Sequence, residues 1–453
     1  MRRSNILLLA LIVIACGAAQ AGDLQTQSAT TTVQSFTAVE GADLMAKLDA
    51  AQARARARQT PYWSAYTFDV RPGVAVDPAI SEFNGTINTI GDSSVFVGTT
   101  AGGVTVETRN LAIFLLRDPA SNQITRMEVY NLERKREYSG YPVYWLGRAS
   151  NEESLIYLRA IAAAAPLDML SERAVLGIAL HDDSRVAGML KNFISTSPNQ
   201  RIRSSSVYWL GQTGGEQAFL ASLVRNDAED QKIRRAAAHA IGQSRDRGAV
   251  ATLQGLYESV KDVEVRRSVI SAAGNVRDDP QAFTFVLGIA KNDADLESRK
   301  TAIRQLGHFQ RDDAAEELIK IYNNDSNVEI RKTALRSLSE SKSTRAEDKL
   351  FEVARSNEPI DVRRQAIRVL GERVSKRSFE FLSSTAQSTD ANAEVQVQAV
   401  RAIGERKAEE SVPLLIKIAR THPNQLVRKQ AIRSLGESGD PRAVEFFREV
   451  LSE

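Results

Sequence analysis

The sequence predicts a mainly α-helical protein, an α-α superhelix of about ten helix pairs, with a small antiparallel β-rich domain at its N-terminal end. The main observation is a phrase that recurs eight times from Arg201 onward and reads, in one copy, DVRRQAIRVLG from Asp361. An arginine marks each copy except one, where Gln396 replaces it, and the spacings are 31, 32, 33, 32, 32, 33 and 32 residues. A fixed period in this range is typical of a solenoid. The second observation is that strand-like alternation is confined to residues 62–132.

Each copy of the phrase predicts an amphipathic helix. With the marker arginine as position 0, positions −1, +3, +4 and +7 are mostly apolar and fall on one arc, as in Val362, Ala366, Ile367 and Leu370. We expect the glycine at position +8 to end this helix, because glycine enters the left-handed conformation without steric cost. These glycines are Gly211, Gly242, Gly274, Gly307, Gly371, Gly404 and Gly436, and Ser339 takes the place once.

A second amphipathic segment precedes each phrase, such as AAEELIKIY from Ala314 or AVEFFREVLS from Ala443. Each repeat is therefore an antiparallel pair, a first helix and the second helix that carries the marker, and neighbouring pairs must stack to bury their apolar faces. Position −2 of the second helix is acidic in five copies, and a carboxylate there suits a helix N-terminus. The five are Glu264, Glu297, Glu329, Asp361 and Glu394.

The repeated phrase resembles the second helix of HEAT repeats, in the phycobilisome-lyase-like bacterial subtype. The resemblance covers residues 137–453, since the run YWLG from Tyr144 echoes the run from Tyr208, and 172–180 fits another second helix. It implies that the marker arginines form a structural ladder, each bonded to an acidic or carbonyl group of the adjacent repeat. The ladder residues are Arg203, Arg234, Arg266, Arg299, Arg331, Arg363 and Arg428. Because Gln396 and Ser339 both depart from the pattern, we hypothesise a looser joint over residues 338–399.

Four segments follow along the chain. Residues 1–21 read as an export signal, with Arg2 and Arg3 before an apolar stretch and small residues after it. Cleavage after Ala21 would give a soluble periplasmic protein, whereas a lipobox-like reading would make Cys16 a lipidated N-terminus and membrane anchor. Residues 22–60 form a flexible tether and a short helix from about 41 to 59. The β-rich domain takes 61–136 and the repeats take 137–453.

The β-rich domain is predicted from five short runs rich in β-branched and aromatic residues, at 62–70, 94–98, 104–108, 111–116 and 123–132. Thr100 to Gly103 is a plausible hairpin turn. A sheet this small is marginal alone, so we expect it to pack on the first repeats and cover the end of the solenoid.

We find no constellation that predicts catalysis, a metal or a cofactor. The histidines, His181, His239, His308 and His422, lie in different repeats without ligand spacing. The HEAT-repeat oxygenase family, deoxyhypusine hydroxylase, carries His-Glu dipeptides for a di-iron centre, and this sequence contains no His-Glu. A nucleophile elbow, a phosphate loop and a dinucleotide fingerprint are also absent from the sequence.

Basic residues recur at two positions of the second helix that are four residues apart and therefore share a face. This face points away from the apolar arc, so the stripe is predicted to face solvent. The resemblance to HEAT repeats, whose second helices line the concave side, implies a cationic concave groove for an acidic partner, a polyanionic envelope polymer or an anionic headgroup surface. The predicted partner-binding residues are Arg235, Arg267, Lys300, Arg304, Lys332, Arg336, Arg364, Arg368, Lys429 and Arg433, and Arg401 occupies the same position in a further repeat.

A solvated, salt-bridged surface is the alternative. Glutamates at position +9 follow four basic residues and predict the pairs Arg336–Glu340, Arg368–Glu372, Arg401–Glu405 and Arg433–Glu437. If a groove exists, we expect its field to be strongest from Arg235 to Arg304, where these glutamates are missing. The formal charge of +3 does not indicate a nucleic-acid-binding protein.

These features favour a non-catalytic scaffold or adaptor that binds another envelope protein through its concave face. A regulatory or accessory subunit of an envelope enzyme, with the β domain engaging the client, is the main alternative. An enzyme related to HEAT-like lyases or oxidoreductases is the third class. A scaffold should show an open groove, whereas an enzyme should show a deep pocket with converging ionisable groups.

Overall fold

The structure is a computed structural model, and it describes residues 36–77, 84–90, 93–101, 104–105, 108–164, 168–244, 246–388 and 392–452. Residues 1–35, with the export signal, most of the tether and Cys16, lie outside this range, as do Gly102 and Gly103 of the hairpin turn. None of the helices in the described part of the chain is long and apolar enough to span a bilayer.

The described residues of the N-terminal domain form one helix and nine strands. In chain order they are β1 (Thr37–Ala38), α1 (Leu44–Arg56), β2 (Tyr62–Thr67), β3 (Val74–Val76), β4 (Asn84–Ile90), β5 (Ser93–Ala101), β6 (Val104–Thr105), β7 (Leu111–Arg117), β8 (Ile124–Asn131) and β9 (Val143–Arg148). The larger sheet has the order β1-β9-β2-β7-β8, and a smaller sheet has the order β3-β5-β4, with β6 paired to β5. Because β9 runs parallel to both β1 and β2, the larger sheet is mixed, not purely antiparallel as predicted.

The larger sheet is covered on both faces, which explains apolar runs such as LAIFLL in β7. One face contributes Tyr62, Tyr66 and Met127 to the main core, which continues without a break into the helices. The opposite face is an aromatic cluster around Trp63 and Phe114. Both sheet faces are thus removed from water, and strand alternation is weak in the sequence for that reason.

The run from Tyr144 to Gly147 is not a repeat. It forms β9, in which Tyr144 and Leu146 face the main core while Trp145 stacks on Phe36 on the other side. The same four letters from Tyr208 lie in a helix, because a short apolar run does not by itself distinguish strand from helix. The first helix of the repeats begins at Asn151, so the boundary lies later than the predicted residue 137.

The remainder of the described chain is helical, and the predicted solenoid is confirmed. Its helices are α2 (Asn151–Ala164), α3 (Asp168–Ala179), α4 (Arg185–Thr196), α5 (Gln200–Thr213), α6 (Gln217–Arg225), α7 (Gln231–Gln243), α8 (Ala249–Ser259), α9 (Val263–Asn275), α10 (Pro280–Asn292), α11 (Leu296–His308), α12 (Asp312–Asn324), α13 (Val328–Glu340), α14 (Thr344–Arg355), α15 (Ile360–Glu372), α16 (Lys376–Gln387), α17 (Ala393–Gly404), α18 (Ala408–Thr421), α19 (Gln425–Ser438) and α20 (Pro441–Ser452). The pairs run from α2/α3 to α18/α19, and α20 packs as a further first helix on α18 and α19.

Among the second helices that carry the repeated phrase, all except α15, which follows Pro359, begin at side-chain caps that the sequence analysis did not identify. An Asp or Asn four residues before the marker accepts a backbone N–H of the first turn, as Asp262 does from Glu264 at 2.9 Å and from Val265 at 3.1 Å. Asp230, Asp295, Asn327, Asn392 and Asn424 have the same role. The acidic residues at −2 lie in the first turn, as expected, where they complement the helix dipole.

The glycines at +8 lie within the last three residues of the second helices, but the prediction that they end these helices in the left-handed conformation was wrong. Gly242 is inside α7, and none of these glycines is among the left-handed residues of the described chain. Instead, a Cβ on Gly242 would lie 2.4 Å from the carbonyl oxygen of Ala272 in α9. A Cβ on Gly211 or Gly307 would meet Ala240 or Ser337 of the next second helix in the same way. Gly211, Gly242 and Gly307 are required because their helices approach the next second helix until the backbones touch, whereas Gly436 has no such neighbour.

The marker arginines from Arg203 to Arg331 link each repeat to the next, whereas in the described chain Arg363 and Arg428 bond only carbonyls of their own repeat, contrary to the predicted ladder. In several repeats the Nε–H donates to a carbonyl at the end of the first helix: Arg203 to Ile194 (2.6 Å), Arg234 to Val224 (3.0 Å), Arg299 to Ala290 (3.3 Å) and Arg363 to Ala354 (3.2 Å). The far end of the guanidinium reaches a carboxylate before the next second helix: Arg203–Glu229 (2.6 Å), Arg266–Asp293 (3.2 Å), Arg299–Asp325 and Arg331–Glu358. One side chain thereby joins three helices. Arg428 bonds the carbonyls of His422 and Pro423.

The joint hypothesised at residues 338–399 has its own contacts. Gln396 retains the bond to a carbonyl of its own repeat, because its Nε2 donates to the carbonyl of Ser388. Its neutral amide does not form an ion pair with the next repeat. At the end of α13, where Ser339 replaces glycine, Arg373 of the next repeat donates to the carbonyls of Leu338, Ser339 and Ser341. These bonds satisfy the last carbonyls of the helix.

The β domain docks on the first helix pair, as expected. Backbone bonds join Arg71 N–H to the carbonyl of Leu180 (2.9 Å) and Asp182 N–H to the carbonyl of Asp69 (2.8 Å). Between them lies a buried polar chain in which the Ser154 hydroxyl contacts the Tyr66 hydroxyl (3.1 Å) and Nε2 of His181 (2.8 Å). The His181 ring also stacks on Phe68, with 4.3 Å between centroids. The domain thus closes the N-terminal end of the repeat core.

The glycine contacts generate the first prediction. Gly242→Ala should lower the free energy of unfolding by about 1–3 kcal/mol, because the methyl group must displace the backbone of α9. Gly436→Ala is the matched control, since nothing lies within 4 Å of its Cβ direction and alanine favours a helix by about 0.5–1 kcal/mol. Urea unfolding followed by circular dichroism measures both. Equal effects of the two substitutions would contradict the close-approach explanation.

The buried histidine generates the second prediction. Burial lowers the pKa of His181 from 6.5 to about 4, and it outweighs the Gly177 carbonyl bond and the Asp183 charge, which act in the opposite direction. The native state therefore binds fewer protons than the unfolded state between these values. Stability should be complete above pH ~6.5 and fall by about 3 kcal/mol as the pH approaches 4.

The comparison is between the wild type, His181→Gln and His308→Gln, each unfolded in urea across this pH window. His181→Gln should show a shallower loss of stability between pH ~6.5 and 4, because glutamine does not take up the proton. His308→Gln, at the end of α11 and away from the domain junction, should follow the wild type. A wild-type slope in His181→Gln would contradict the assignment.

Candidate functional site

The predicted cationic stripe lies along the second helices. The face that carries it, defined by positions +1 and +5 from Arg235 to Arg433, is called the second-helix face below. Because neighbouring second helices touch through their glycines, this face is a continuous surface that crosses from one repeat to the next. Its charges differ between the two halves of the stripe.

In the first half, the cations other than Arg235 lie beside carboxylates. The glutamates at −2 lie three residues before the bases at +1 and pair with them: Arg267–Glu264, Lys300–Glu297 (2.8 Å) and Lys332–Glu329 (3.3 Å). Arg304 lies 4.0 Å from Glu297, and Arg235 donates to the hydroxyl of Ser268 at 3.0 Å. This differs from our expectation that the field is strongest from Arg235 to Arg304. We had considered only the partners at +9, whereas the residues at −2 were already in the sequence.

In the second half, some cations are paired and others are not. Two of the four predicted pairs form, Arg368–Glu372 and Arg433–Glu437 (3.0 Å), and Arg364 reaches Glu394 of the next repeat at 3.3 Å. Within the described ranges, Arg336, Arg401 and Lys429 have no carboxylate partner. The uncompensated positive charge of the stripe therefore lies toward its C-terminal end.

Two of these unpaired cations border an open groove of about 350 Å³ on α15, α17 and α19, called the α17–α19 groove below. Its lining residues come from three successive second helices: Arg364, Ala393, Glu394, Val397, Gln398, Arg401, Leu426, Lys429, Gln430 and Arg433. Predicted stripe residues thus meet here with residues that the sequence analysis did not identify.

The groove lies where the repeat pattern fails. Position +1 of α17 is Val397 instead of a base, and position −2 of α19 is Leu426 instead of an acid. Leu426 is 61% exposed, so an apolar side chain faces solvent in the groove. The replacement of the acid also leaves Lys429 without the partner that Lys300 and Lys332 have three residues earlier. One substitution therefore supplies both an apolar contact and a free charge.

Two buried amides add hydrogen-bonding groups to the groove. Gln398 and Gln430 both occupy position +2 and expose only 7% and 9% of their surface. Gln430 donates to the hydroxyl of Ser434 at 3.3 Å, whereas the side-chain amide of Gln398 forms no hydrogen bond with the described residues. The amide atoms of Gln398 remain accessible to solvent, so a ligand in the groove could replace water as their hydrogen-bond partner.

Converging catalytic groups are not found elsewhere in the described ranges. The pair Ser154–His181 has hydrogen-bond geometry, but it is buried at the domain junction and closed to a substrate. No group of three or more His, Cys, Asp and Glu side chains in the described ranges is arranged to hold a metal ion.

Solved structures of other repeat proteins resemble this chain only distantly. Human deoxyhypusine hydroxylase is 16% identical, with 64% of this chain and 96% of that chain covered and a TM-score of 0.24. The CpcE–CpcF complex of phycocyanin lyase from Nostoc is 17% identical, with 56% and 92% covered and a TM-score of 0.28. Kap95p, in a complex with RanGDP, is 11% identical, with 67% and 48% covered and a TM-score of 0.37. None of the curated proteins matches the sequence.

The family comparison agrees with the structure. The model for HEAT repeats matches in three places, at residues 218–297, 284–371 and 382–453. These ranges contain the helix pairs from α6 to α20, with their ladder arginines and close-packed glycines. The chain belongs to the HEAT-repeat proteins.

Proposed function

We propose that this protein is a non-catalytic adaptor that binds another protein through its second-helix face. HEAT solenoids typically serve as scaffolds for protein interactions. The observation that supports this function is the continuous open face of touching second helices, which ends in a groove with unpaired cations and an exposed apolar side chain. Such a surface fits a macromolecular partner better than a small substrate, because it is open and extends over several repeats.

The charge of the face favours a partner with an acidic surface. Arg336, Arg401 and Lys429 add positive potential that no neighbouring carboxylate cancels within the described chain. Opposite charges accelerate encounter and select the orientation of a complex more than they raise its affinity. The paired cations of the first half, by contrast, form a solvated surface of the kind that contributes little.

An accessory role for an envelope enzyme is the second candidate. The observation that favours it is the docked β domain, a folded unit joined to the end of the solenoid by its own backbone bonds. In that case the β domain would bind the enzyme, and the solenoid would extend from the bound β domain. An enzyme in its own right is less well supported, because the Ser–His pair at the junction is closed to solvent.

We further propose that the protein acts in the bacterial envelope after export. The support is the sequence of residues 1–21, with two arginines before an apolar stretch and small residues before Gly22. The soluble periplasmic form is the preferred reading, and attachment through a lipid on Cys16 is the alternative.

Site-specific photo-crosslinking tests the adaptor function. A photoreactive residue in place of Arg304, Arg336 or Arg401, all on the second-helix face, should join the protein to one partner in whole cells. Matched positions on first helices, Lys320, Glu352 and Glu380, are exposed and serve as controls. Crosslinks only from the controls, or only from the β domain, would overturn the adaptor proposal in this form.

The mature N-terminus tests export. We expect the purified protein to begin at Gly22 and to stay in the soluble fraction of the periplasm, and Cys16→Ser should be processed like the wild type. N-terminal sequencing and intact mass measure both. A blocked, lipidated N-terminus that Cys16→Ser abolishes would instead establish the anchored form, and an uncleaved cytoplasmic chain would contradict export altogether.

A further inference from the structure

We propose that the α17–α19 groove binds an extended acidic peptide segment of a partner protein, with one apolar side chain of that segment seated against Val397 and Leu426. This inference rests on the proposed adaptor function and assigns its recognition site. Each chemical feature of such a segment has a counterpart among the residues of the groove.

The cations of the groove favour an acidic segment. Arg401 and Lys429 lie on adjacent second helices, and neither has a carboxylate partner in the described chain. Arg364 and Arg433 also line the groove, already paired with Glu394 and Glu437. An acidic segment therefore meets two free cations and can compete for two more. A basic or neutral segment would leave the free cations uncompensated as the groove is desolvated.

The groove also offers an apolar contact. Leu426 and Val397 occupy positions at which most other repeats carry an acid and a base, and they belong to adjacent helices. An exposed leucine beside a half-buried valine gives an apolar side chain a place to lose water, at about 25 cal/mol per Å² of apolar surface. The rim of cations around this contact specifies acidic residues on either side of the apolar one.

The backbone is recognised by the glutamines. Position +2 is glutamine in the last three repeats, at Gln365, Gln398 and Gln430, and the amide of Gln398 has no protein partner while it lines the groove. The Nε2 of Gln365 is likewise buried without a hydrogen bond. An amide carries a donor and an acceptor, as a peptide group does, so it can bond the main chain of an extended segment independently of its sequence.

The experiment uses the full mature chain and a fluorescent synthetic peptide that consists of glutamates around a central leucine. Fluorescence anisotropy should show saturable binding that weakens as salt is raised. A peptide with glutamines in place of the glutamates, and another with serine in place of the leucine, should each bind at least tenfold more weakly. Absence of saturable binding up to about 1 mM peptide, or equal affinity for the three peptides, would overturn the proposal.

Leu426→Glu is the sharpest variant. It restores the consensus acid at −2, which suits the first turn of α19 and pairs with Lys429, so the protein should fold at least as stably as the wild type. It should nevertheless weaken peptide binding at least tenfold. Lys320→Gln, on the first helix α12 and outside the second-helix face, changes the net charge by the same amount as Leu426→Glu; it is the matched control and should bind as the wild type does.

Gln398→Leu separates the amide from the charges. Leucine fills a similar volume and needs no hydrogen bond, so folding is retained while peptide affinity falls. If Lys320→Gln weakens binding as much as Leu426→Glu, the peptide is held by the overall field and the groove assignment fails. If the second-helix face still crosslinks to a partner while Leu426→Glu leaves both crosslinking and peptide binding intact, the adaptor function stands and only this inference is overturned.

Discussion

Close approach between successive second helices is the constraint on which the rest of this structure depends. A Cβ on Gly211, Gly242 or Gly307 would lie within 3 Å of the next helix, so these helices stack with their backbones in contact. Marker arginines such as Arg203 then span a fixed distance, from a carbonyl of their own repeat to a carboxylate of the next. The continuous outer surface of the second helices also follows from this contact, because a wider spacing would separate it into isolated ridges.

The same constraint explains how far the sequence could be interpreted. The period, the helix pairs and the direction of the apolar arc follow from positions that repeat, and all three were predictable. The reason for each glycine could not be predicted, because a helix stop and a close approach of two helices both favour glycine. The strand β9 was mistaken for a repeat because Tyr144–Gly147 and Tyr208–Gly211 are identical, and only their neighbours in space distinguish them.

The charges show a second limit of sequence reasoning. Basic residues at +1 and +5 indicated a cationic stripe, but the net field depends on carboxylates at −2, at +9 and in the adjacent repeat. The glutamates at −2 complement the helix dipole and neutralise the base one turn later at the same time. Each of these glutamates had been considered only as a partner of the helix dipole. The positive charge in the middle of the stripe was therefore overestimated.

The candidate site is found at the exceptions to the repeat, not in the repeat itself. A solenoid is stabilised by agreement between equivalent positions, so a position that departs from the pattern loses a contact that its neighbours have. Gln396 replaces the arginine of the ladder and lacks its charge. Leu426 replaces the acid that would neutralise Lys429, and Val397 replaces a basic residue. All three belong to α17 and α19, and the last two line the groove beside an amide without a partner. Their concentration in one place distinguishes this part of the second-helix face from the regular, salt-bridged surface before it, and it argues for recognition there.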